Sequence, residues 1–437
     1  MGLEQTRRDL DYHIGPLIDR ERAADVMLRL GFNGLVLTHP TNVYYLTGYD
    51  GSNFNSSLPT NFPCYALISK DPSQPIALVI ASFQYYFGFS DIHNDNDVVV
   101  YQHTSVPDAE DRDVSNNNAI LATGLAPLRA GQPLVWRNRG QMALDQIETV
   151  RAARVEREAK ARHVGISAMQ SLGRALADLG LDRGTIGVEF PRDSTVGATI
   201  ERAAPKVVSA DATRAMALLR IIKSESEIGL MRHAARNNAE AALAACRAVC
   251  AGATYRDLRA QFFSEAARRG NLGVWMLVDR VSVDAFRGEF HEGQSLMIDA
   301  VSTFAGYHGD YGRTVFIGEP THHMVRHTQA ISHAWCVVRE HLRPGVSFRE
   351  IQQIAQSALD HGGFDTAVRF TPHSVGLFHT DARALDDIVL ERGMTISVDC
   401  PVVESGIGGS AHLEDLTLIT ATGHETMNAL DDQVIIV

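Results

Sequence analysis

Residues 296–317 read LMIDAVSTFAGYHGDYGRTVFI, and this stretch decides the fold of its half of the chain. Two apolar runs, 296–298 and 314–317, flank a turn rich in Gly, Tyr and His, which predicts a strand–turn–strand. Asp299 closes the first strand and Asp310 enters the second. With the turn centred near 304–306, the two carboxylates fall roughly opposite each other. Like charges facing across a strand pair destabilise it, and a buried carboxylate without a partner is costly. A cation between them resolves the conflict. Arg313 could serve one aspartate; a divalent metal could serve both.

The chain around this hairpin has 437 residues, more than one ordinary core accommodates, so two domains are expected. With 45% apolar and 21% charged residues it has the composition of a soluble globular protein. No stretch approaches the roughly 20 apolar residues that span a bilayer, and the opening MGLEQTRRDLDYHIG lacks the apolar core of a secretory signal. A net charge of −12 without a basic stripe argues against nucleic acid or an anionic membrane as partner. The five cysteines (Cys64, Cys246, Cys250, Cys336, Cys400) form no CxxC pair, which excludes a disulfide framework or zinc knuckle and fits a cytoplasmic location. Cys246 and Cys250, four apart on an expected helix, read as packing residues, and Cys400 as a small filler beside Asp399.

Residues 1–218 read as one α/β domain. A helix over 19–30 precedes the strand GLVLT at 34–38, a short helix follows from Asn42, and apolar runs at 64–68 and 76–80 form a strand pair. Residues 104–118 are polar and loop-like, one long helix runs from about 141 into the 170s, and 185–189 is a further strand. The second domain, 219–437, opens on Ser224-x-x-Glu227, a capping-box pattern ahead of an apolar helical series. Thr254 with Asp257 caps a second helix, a third spans about 323–342, and Ser347-x-x-Glu350 opens a fourth ending at His361-Gly362-Gly363. Short strands at 394–398 and 413–419 close an α+β pattern of helices and antiparallel strands. His322, His323 and His327 sit on a polar helix start and read as solvated.

Three further residues join the aspartates. His373 lies in TPHSVGLFH, Asp399 ends the apolar run 394–398, and Glu414 sits inside HLEDLTLIT. A lone histidine is more often structural than a ligand. Four acids embedded in separate apolar strands of one domain resist a structural explanation. With one histidine they make a hard, oxygen-rich site suited to Mn, Co, Zn or Fe, and to two ions.

On these motifs the second half resembles the pita-bread superfamily of methionine aminopeptidase, aminopeptidase P, prolidase and creatinase. The matching pieces are RIIKSESEIGLMRHA at 220–234, LMIDAVSTFAGYHGDYGRTVFIGEP at 296–320, HSVGL at 373–377, ERGMTISVD at 391–399 and HLEDLTLIT at 412–420. The first half, with GLVLTHPTNVYYLTGYDG at 34–51 and IGVE at 186–189, resembles the creatinase-like N-terminal domain of the prolyl peptidases. The resemblance covers essentially the whole chain and implies metal ligands at Asp299, Asp310, His373, Asp399 and Glu414. It implies that water held by the metals attacks an amide carbon whose oxygen the metals polarise. It also makes a homodimer the default, with Tyr49, Asn53 and Phe54 of the segment near 49–54 reaching an active site and its substrate.

Departures from the family pattern matter as much. Asp399 stands where relatives usually carry Glu. The histidine that peptidases place about seventeen residues before the first aspartate is missing; its position falls here near Ser282. His379 follows His373 at six residues rather than seven, and His412 replaces a common arginine. His379, His412 and His308 are the candidates for proton transfer or binding of a substrate carboxylate, with Glu404 as an alternative assistant for proton transfer. The altered residues favour a hydrolase cleaving an amide or other C–N bond of a small molecule. Alternatives are an Xaa-Pro dipeptidase or aminopeptidase on short peptides, a lyase on a small zwitterion such as dimethylsulfoniopropionate, and a non-catalytic binding module. Retention of every ligand position as His or carboxylate speaks against the last.

Overall fold

The computed structural model describes residues 15–51, 63–90, 97–103, 125–126, 135–136, 146–162, 164–165, 167–189, 195–279, 288–362, 370–382, 388–402, 409–428 and 434–437. The expectations for Asn53, Phe54, Glu404, the surroundings of Ser282 and the polar segment 104–118 lie outside these residues. The chain divides into two compact units, Met1–Leu219 and Arg220–Val437.

In the first unit the described elements run α1 (Arg20–Leu30), β1 (Gly34–Leu37), α2 (Pro40–Thr47), β2 (Tyr65–Ser69), β3 (Ile76–Ala81), α3 (Ser82–Gly88) and β4 (Val98–His103). Two short strands, β5 (Leu125–Ala126) and β6 (Val135–Trp136), pair with each other. Then come α4 (Gln146–Arg162), α5 (Ala168–Asp178), β7 (Arg183–Val188), α6 (Thr195–Ala203), β8 (Lys206–Asp211) and α7 (Thr213–Arg220). The main sheet has the order β4-β3-β2-β1-β7-β8, antiparallel across β1–β2 and β2–β3 and parallel elsewhere. Glu189, just past β7, accepts hydrogen bonds from Thr38 N at 2.6 Å, His39 N at 2.8 Å and the Asn42 side-chain amide. That carboxylate ties the THPTN turn to the sheet at the start of α2.

The single helix expected from about 141 into the 170s is two helices. Gly165 N leaves the helical ladder to donate to Gln102 O at 2.9 Å, and a Cβ at Gly165 would lie 2.2 Å from Ser171 Oγ. Ser167 then caps α5 by accepting from Gln170 N. Tyr49 is only 2% exposed and packs edge-on against Phe89.

The second unit comprises α8 (Glu225–Arg247), α9 (Tyr255–Arg268), β9 (Leu272–Val278), β10 (Ser295–Phe304), β11 (Tyr307–Phe316), α10 (His322–His341) and α11 (Phe348–His361). It ends with β12 (Thr371–Ser374), β13 (Thr395–Val402), β14 (Ala411–Ile419), β15 (His424–Thr426) and β16 (Val434–Ile436). Capping boxes at Ser224/Glu227, Thr254/Asp257 and Ser347/Glu350 start α8, α9 and α11. One sheet carries the order β12-β13-β14-β11-β10-β9, with β15 beside β14 and β16 beside β11.

Period-two alternation gives this sheet two chemically different faces. Ile298, Ala300, Tyr311 and Val315 pack with α8 and α9 in one apolar cluster; Ile396, Val398, Cys400 and Leu413 pack with α10 and α11 in another. Each fully buried aliphatic or aromatic side chain there contributes about 1.5–3 kcal/mol. Cys400 therefore fills the helix-covered face directly behind Asp399, and burial together with that residue's charge pushes its thiol pKa up. Cys246 is buried as expected, whereas Cys250, past the end of α8, is exposed. His327 is buried as well, its Nε2 3.1 Å from that of His323 one turn earlier. The helices segregate to one side of a sheet that is antiparallel except for the parallel β11–β16 pair, which is an α+β domain.

Candidate metal centre

The acids occupy the sheet face that the apolar clusters leave free. In the β10–β11 hairpin Asp299 pairs with Gly312 and Val301 with Asp310, so the two aspartates are diagonal neighbours on one face rather than directly opposed. Gly312 also pairs with Glu414 of β14. The pairings Ser397↔Leu416 and Cys400↔Leu413 on either side put Asp399 opposite Glu414, and His373 pairs with Ser397. Five strands thus deliver Asp299, Asp310, Glu414, Asp399 and His373 to one face. Arg313 does not serve the aspartates. It is opposite Ile298 on the other face, where it donates to Asp415 at 2.7 Å and to the carbonyls of Gly312 and Glu414.

Glu414 is the hub. Its Oε1 lies 3.3 Å from His373 Nε2 and accepts from Ser397 Oγ at 2.6 Å, while its Oε2 lies 3.2 Å from His412 Nε2. His373 Nε2 is 3.6 Å from Asp310 Oδ2, His379 Nε2 is 3.2 Å from that same oxygen, and His412 Nε2 is 3.4 Å from Asp399 Oδ1. Three trios, Asp299/Asp310/Glu414, Asp310/His373/His379 and Asp399/His412/Glu414, each bring donor atoms within 4.8 Å of one another.

Charge balance tests whether this donor set fits a metal. Asp299 Oδ1, both oxygens of Asp310 and Asp399 Oδ1 are buried without a hydrogen-bond partner among the described residues. Burial, reinforced by Glu414, pushes the Asp299 and Asp399 carboxyls up to about 6 and Asp310 well above its ordinary range. Burial alone would lower the pKa of His373 and His412. Hydrogen bonding and attraction to Glu414 and its neighbouring acids outweigh it, raising His373 to about 9 and His412 to about 10. The same two rings overcome burial at Glu414 and hold it well below the usual carboxylate range. Three aspartates that burial and the neighbouring Glu414 hold above their ordinary range, gathered on one face, fit a divalent cation.

The sequence profile described as "Metallopeptidase family M24" matches residues 229–421, the stretch holding all of these groups, and that of the "Creatinase/Prolidase N-terminal domain" matches 20–111. Residues 229–421 belong to metallopeptidase family M24. Among curated relatives the chain is 27% identical over 238 residues to the probable dipeptidase PepE of Mycobacterium tuberculosis (strain H37Rv), covering 52% of this chain and 63% of that protein. It is 25% identical over 231 residues to the Xaa-Pro dipeptidase of Pyrococcus horikoshii, covering 50% and 65%. These matches span less than two thirds of the relatives' length. Among solved structures, a dipeptidase from Pyrococcus horikoshii OT3 aligns with TM-score 0.68 at 16% identity over 96% of this chain and 99% of that one. An X-Pro aminopeptidase from Thermotoga maritima MSB8 aligns with TM-score 0.66 at 16% identity over 94% and 99%.

Around the pita-bread centre, histidines and one tryptophan form the rim. His308 is two residues from Asp310 on the same face; its Nδ1 lies 3.0 Å from Gly376 O, an acceptor, so Nδ1 carries the proton and Nε2 is left as the basic nitrogen. Burial lowers the His308 pKa to about 4. His379 keeps 26% side-chain exposure, and burial with the neighbouring His373 lowers its pKa. His412 is 1% exposed, its Nε2 beside Glu414 and Asp399. Two features escape the sequence reading. Trp275 of β9 packs edge-on against His379 with ring centroids 4.7 Å apart; its signal is the alternation of GVWMLV, which puts Trp275 and Leu277 on the acid face. The loop carrying His379 is fastened from below by Asp381, which accepts from Arg220 Nε at 2.7 Å and Lys223 Nζ at 3.0 Å.

Proposed function

We propose that this chain is a divalent-metal-dependent hydrolase of an amide bond in a small, dipeptide-sized substrate, with Asp299, Asp310, His373, Asp399 and Glu414 holding two ions. The observation that carries the reading is the set of buried carboxylate oxygens on one sheet face that lack a hydrogen-bond partner among the described residues. When bound, such ions supply Lewis acidity toward a carbonyl oxygen and lower the pKa of water. The protein's own part is positional. Glu414, held by Ser397 and two rings, keeps both oxygens directed into the face. His379, neutral and partly exposed at the rim, is the group suited to hold and return a proton at Nε2. The neighbouring His308 offers a second basic nitrogen, at Nε2. Trp275 packs edge-on against the His379 ring and holds that side of the rim.

Support for a peptide substrate comes from the named relatives, which are dipeptidases and Xaa-Pro dipeptidases. Support for a non-peptide C–N bond comes from the chain itself, with His412 and Ser282 where prolyl peptidases carry Arg and His. The deciding experiment is elemental analysis after incubation with Mn, Co, Zn and Fe, paired with assays on Ala-Pro and longer Xaa-Pro peptides. Bound metal with prolyl turnover supports the dipeptidase form. Metal without turnover directs the search to betaines, guanidines and N-acyl amino acids. A protein that takes up no metal, or an Asp310→Ala variant that takes up as much as wild type, defeats the proposal. The homodimer expected from the resemblance is likewise proposed, and sedimentation equilibrium reads it directly.

A further inference from the structure

We propose that His412 is itself a metal ligand, giving the centre one histidine at each oxygen of Glu414; this rests on the metal-centre reading above. The two rings have matching surroundings. His373 Nε2 stands 3.3 Å from Glu414 Oε1 and 3.6 Å from Asp310 Oδ2; His412 Nε2 stands 3.2 Å from Glu414 Oε2 and 3.4 Å from Asp399 Oδ1. Donor atoms sharing one ion at about 2.1 Å, with angles between octahedral and tetrahedral, lie about 3.0–3.4 Å from each other. Charge-assisted hydrogen bonds are shorter, about 2.7–2.9 Å. His412 Nε2, hydrogen-bonded to Glu414 Oε2 in the metal-free fold, thus stands at the spacing of a fellow ligand from both acids.

The backbone is built to hold the ring there. His412 N donates to Thr314 Oγ1 at 2.9 Å and Thr314 Oγ1 donates back to His412 O at 3.1 Å, which fixes the residue on β14. Across the strand, Gly312 supplies the space: a Cβ there would lie 2.1 Å from both Cδ2 and Nε2 of His412. At 1% exposure the ring has little contact with solvent, and its Nε2 is already within 4.8 Å of the Asp399 and Glu414 donors. A second imidazole also changes the preference of the site. Nitrogen donors suit Zn, Co and Ni better than the all-oxygen surroundings that suit Mn and Mg.

The rival account is a buried imidazolium that neutralises Asp399 and Glu414 without touching metal, a role an arginine fills as well. Anomalous diffraction from the cobalt-loaded wild-type protein separates the two. His412 Nε2 within about 2.3 Å of a cobalt ion is the expected result; an ion more than about 3 Å from that nitrogen overturns the proposal. Calorimetric titration with cobalt gives the second reading. His412→Ala and His412→Arg, each checked for folding by circular dichroism, are expected to bind one ion at least about tenfold more weakly than wild type. His412→Arg binding cobalt with wild-type number and affinity also overturns it. A wild-type protein that binds no cobalt, manganese, zinc or iron is a different failure, because it removes the metal centre as a whole.

Discussion

Gly376 stands where the loop after β12 turns over three buried charges. A Cβ at this position would lie 2.3 Å from Asp381 Oδ2 and 3.0 Å from Lys223 Cε and Nζ. Both Lys223 and Asp381 have side chains almost wholly buried, so the pair has little water to fall back on. Asp381→Asn, which leaves Lys223 and Arg220 facing a neutral amide, is expected to cost about 3–5 kcal/mol in denaturant unfolding; a loss under about 1 kcal/mol would show that the charges are solvated. Protonation supplies the second test at this scale. Asp299 and Asp399 titrate at about 6 when folded, against an ordinary value of 3.8, so between these values the folded metal-free protein binds more protons than the unfolded one. Their stabilising contribution is whole below 3.8 and declines as pH rises through about 6. Bound cation removes that decline, and ligands must shed protons to bind it. The rise in melting temperature on adding manganese or cobalt is therefore expected to grow from about pH 5 to about pH 7.5; an increment that stays flat or shrinks contradicts the ligand set. Single residues were legible where chemistry conflicts with surroundings, as with acids inside apolar strands. Arg313 was not, because one position along a strand reverses the face, and it pairs with Asp415 on the helix-covered side.

The hairpin that sets the site turns on two residues, Ala305 with φ 47° and Gly306 with φ 82°. Positive φ at both centres of a two-residue loop is the type I′ arrangement, which matches strand twist and favours Asn-Gly. Alanine in the left-handed region carries a penalty of about 1–2 kcal/mol that asparagine tolerates better. Ala305→Asn is expected to stabilise the protein by about 1 kcal/mol, a rise of about 2–4 °C in melting temperature. A lower melting temperature would mean that the Ala305 methyl makes a contact outweighing the strain. At the other end of the scale of local signals, the three capping boxes were readable because donor and acceptor lie three residues apart. The interruption between α4 and α5 was not, since Gly165 leaves the helix to meet Gln102, a residue distant in sequence. The same difference explains the hairpin: its turn was legible, but the diagonal placement of Asp299 and Asp310 depends on the register that the two-residue loop imposes.

Every candidate ligand belongs to the second unit, and this asymmetry predicts how metal acts on the molecule as a whole. The setting of four acids inside apolar strands marked the candidate ligands, and apolar spacing showed which runs are helix and which are strand. Neither could show that Trp275 meets His379 or that His412 lies under Gly312, because those neighbours are set by pairing between strands far apart in sequence. That same long-range pairing joins the ligands. Asp299, Asp310, Glu414, Asp399 and His373 come from five strands, so a cation bound among them opposes the separation of β10, β11, β12, β13 and β14 together. Free metal at a hundred times its Kd stabilises the folded form by about 2.7 kcal/mol. Amide hydrogen exchange followed by mass spectrometry, with and without manganese, resolves where that stabilisation falls. Slower exchange is expected in peptides covering 295–316, 371–374, 395–402 and 411–419, with strands 34–37, 65–69 and 76–81 of the first unit exchanging as before. At that metal concentration, amides that open only with the metal-holding strands should slow about a hundredfold. Equal slowing in both units would show that they open as one cooperative body, and slowing confined to the first unit would place the metal somewhere other than the acid face.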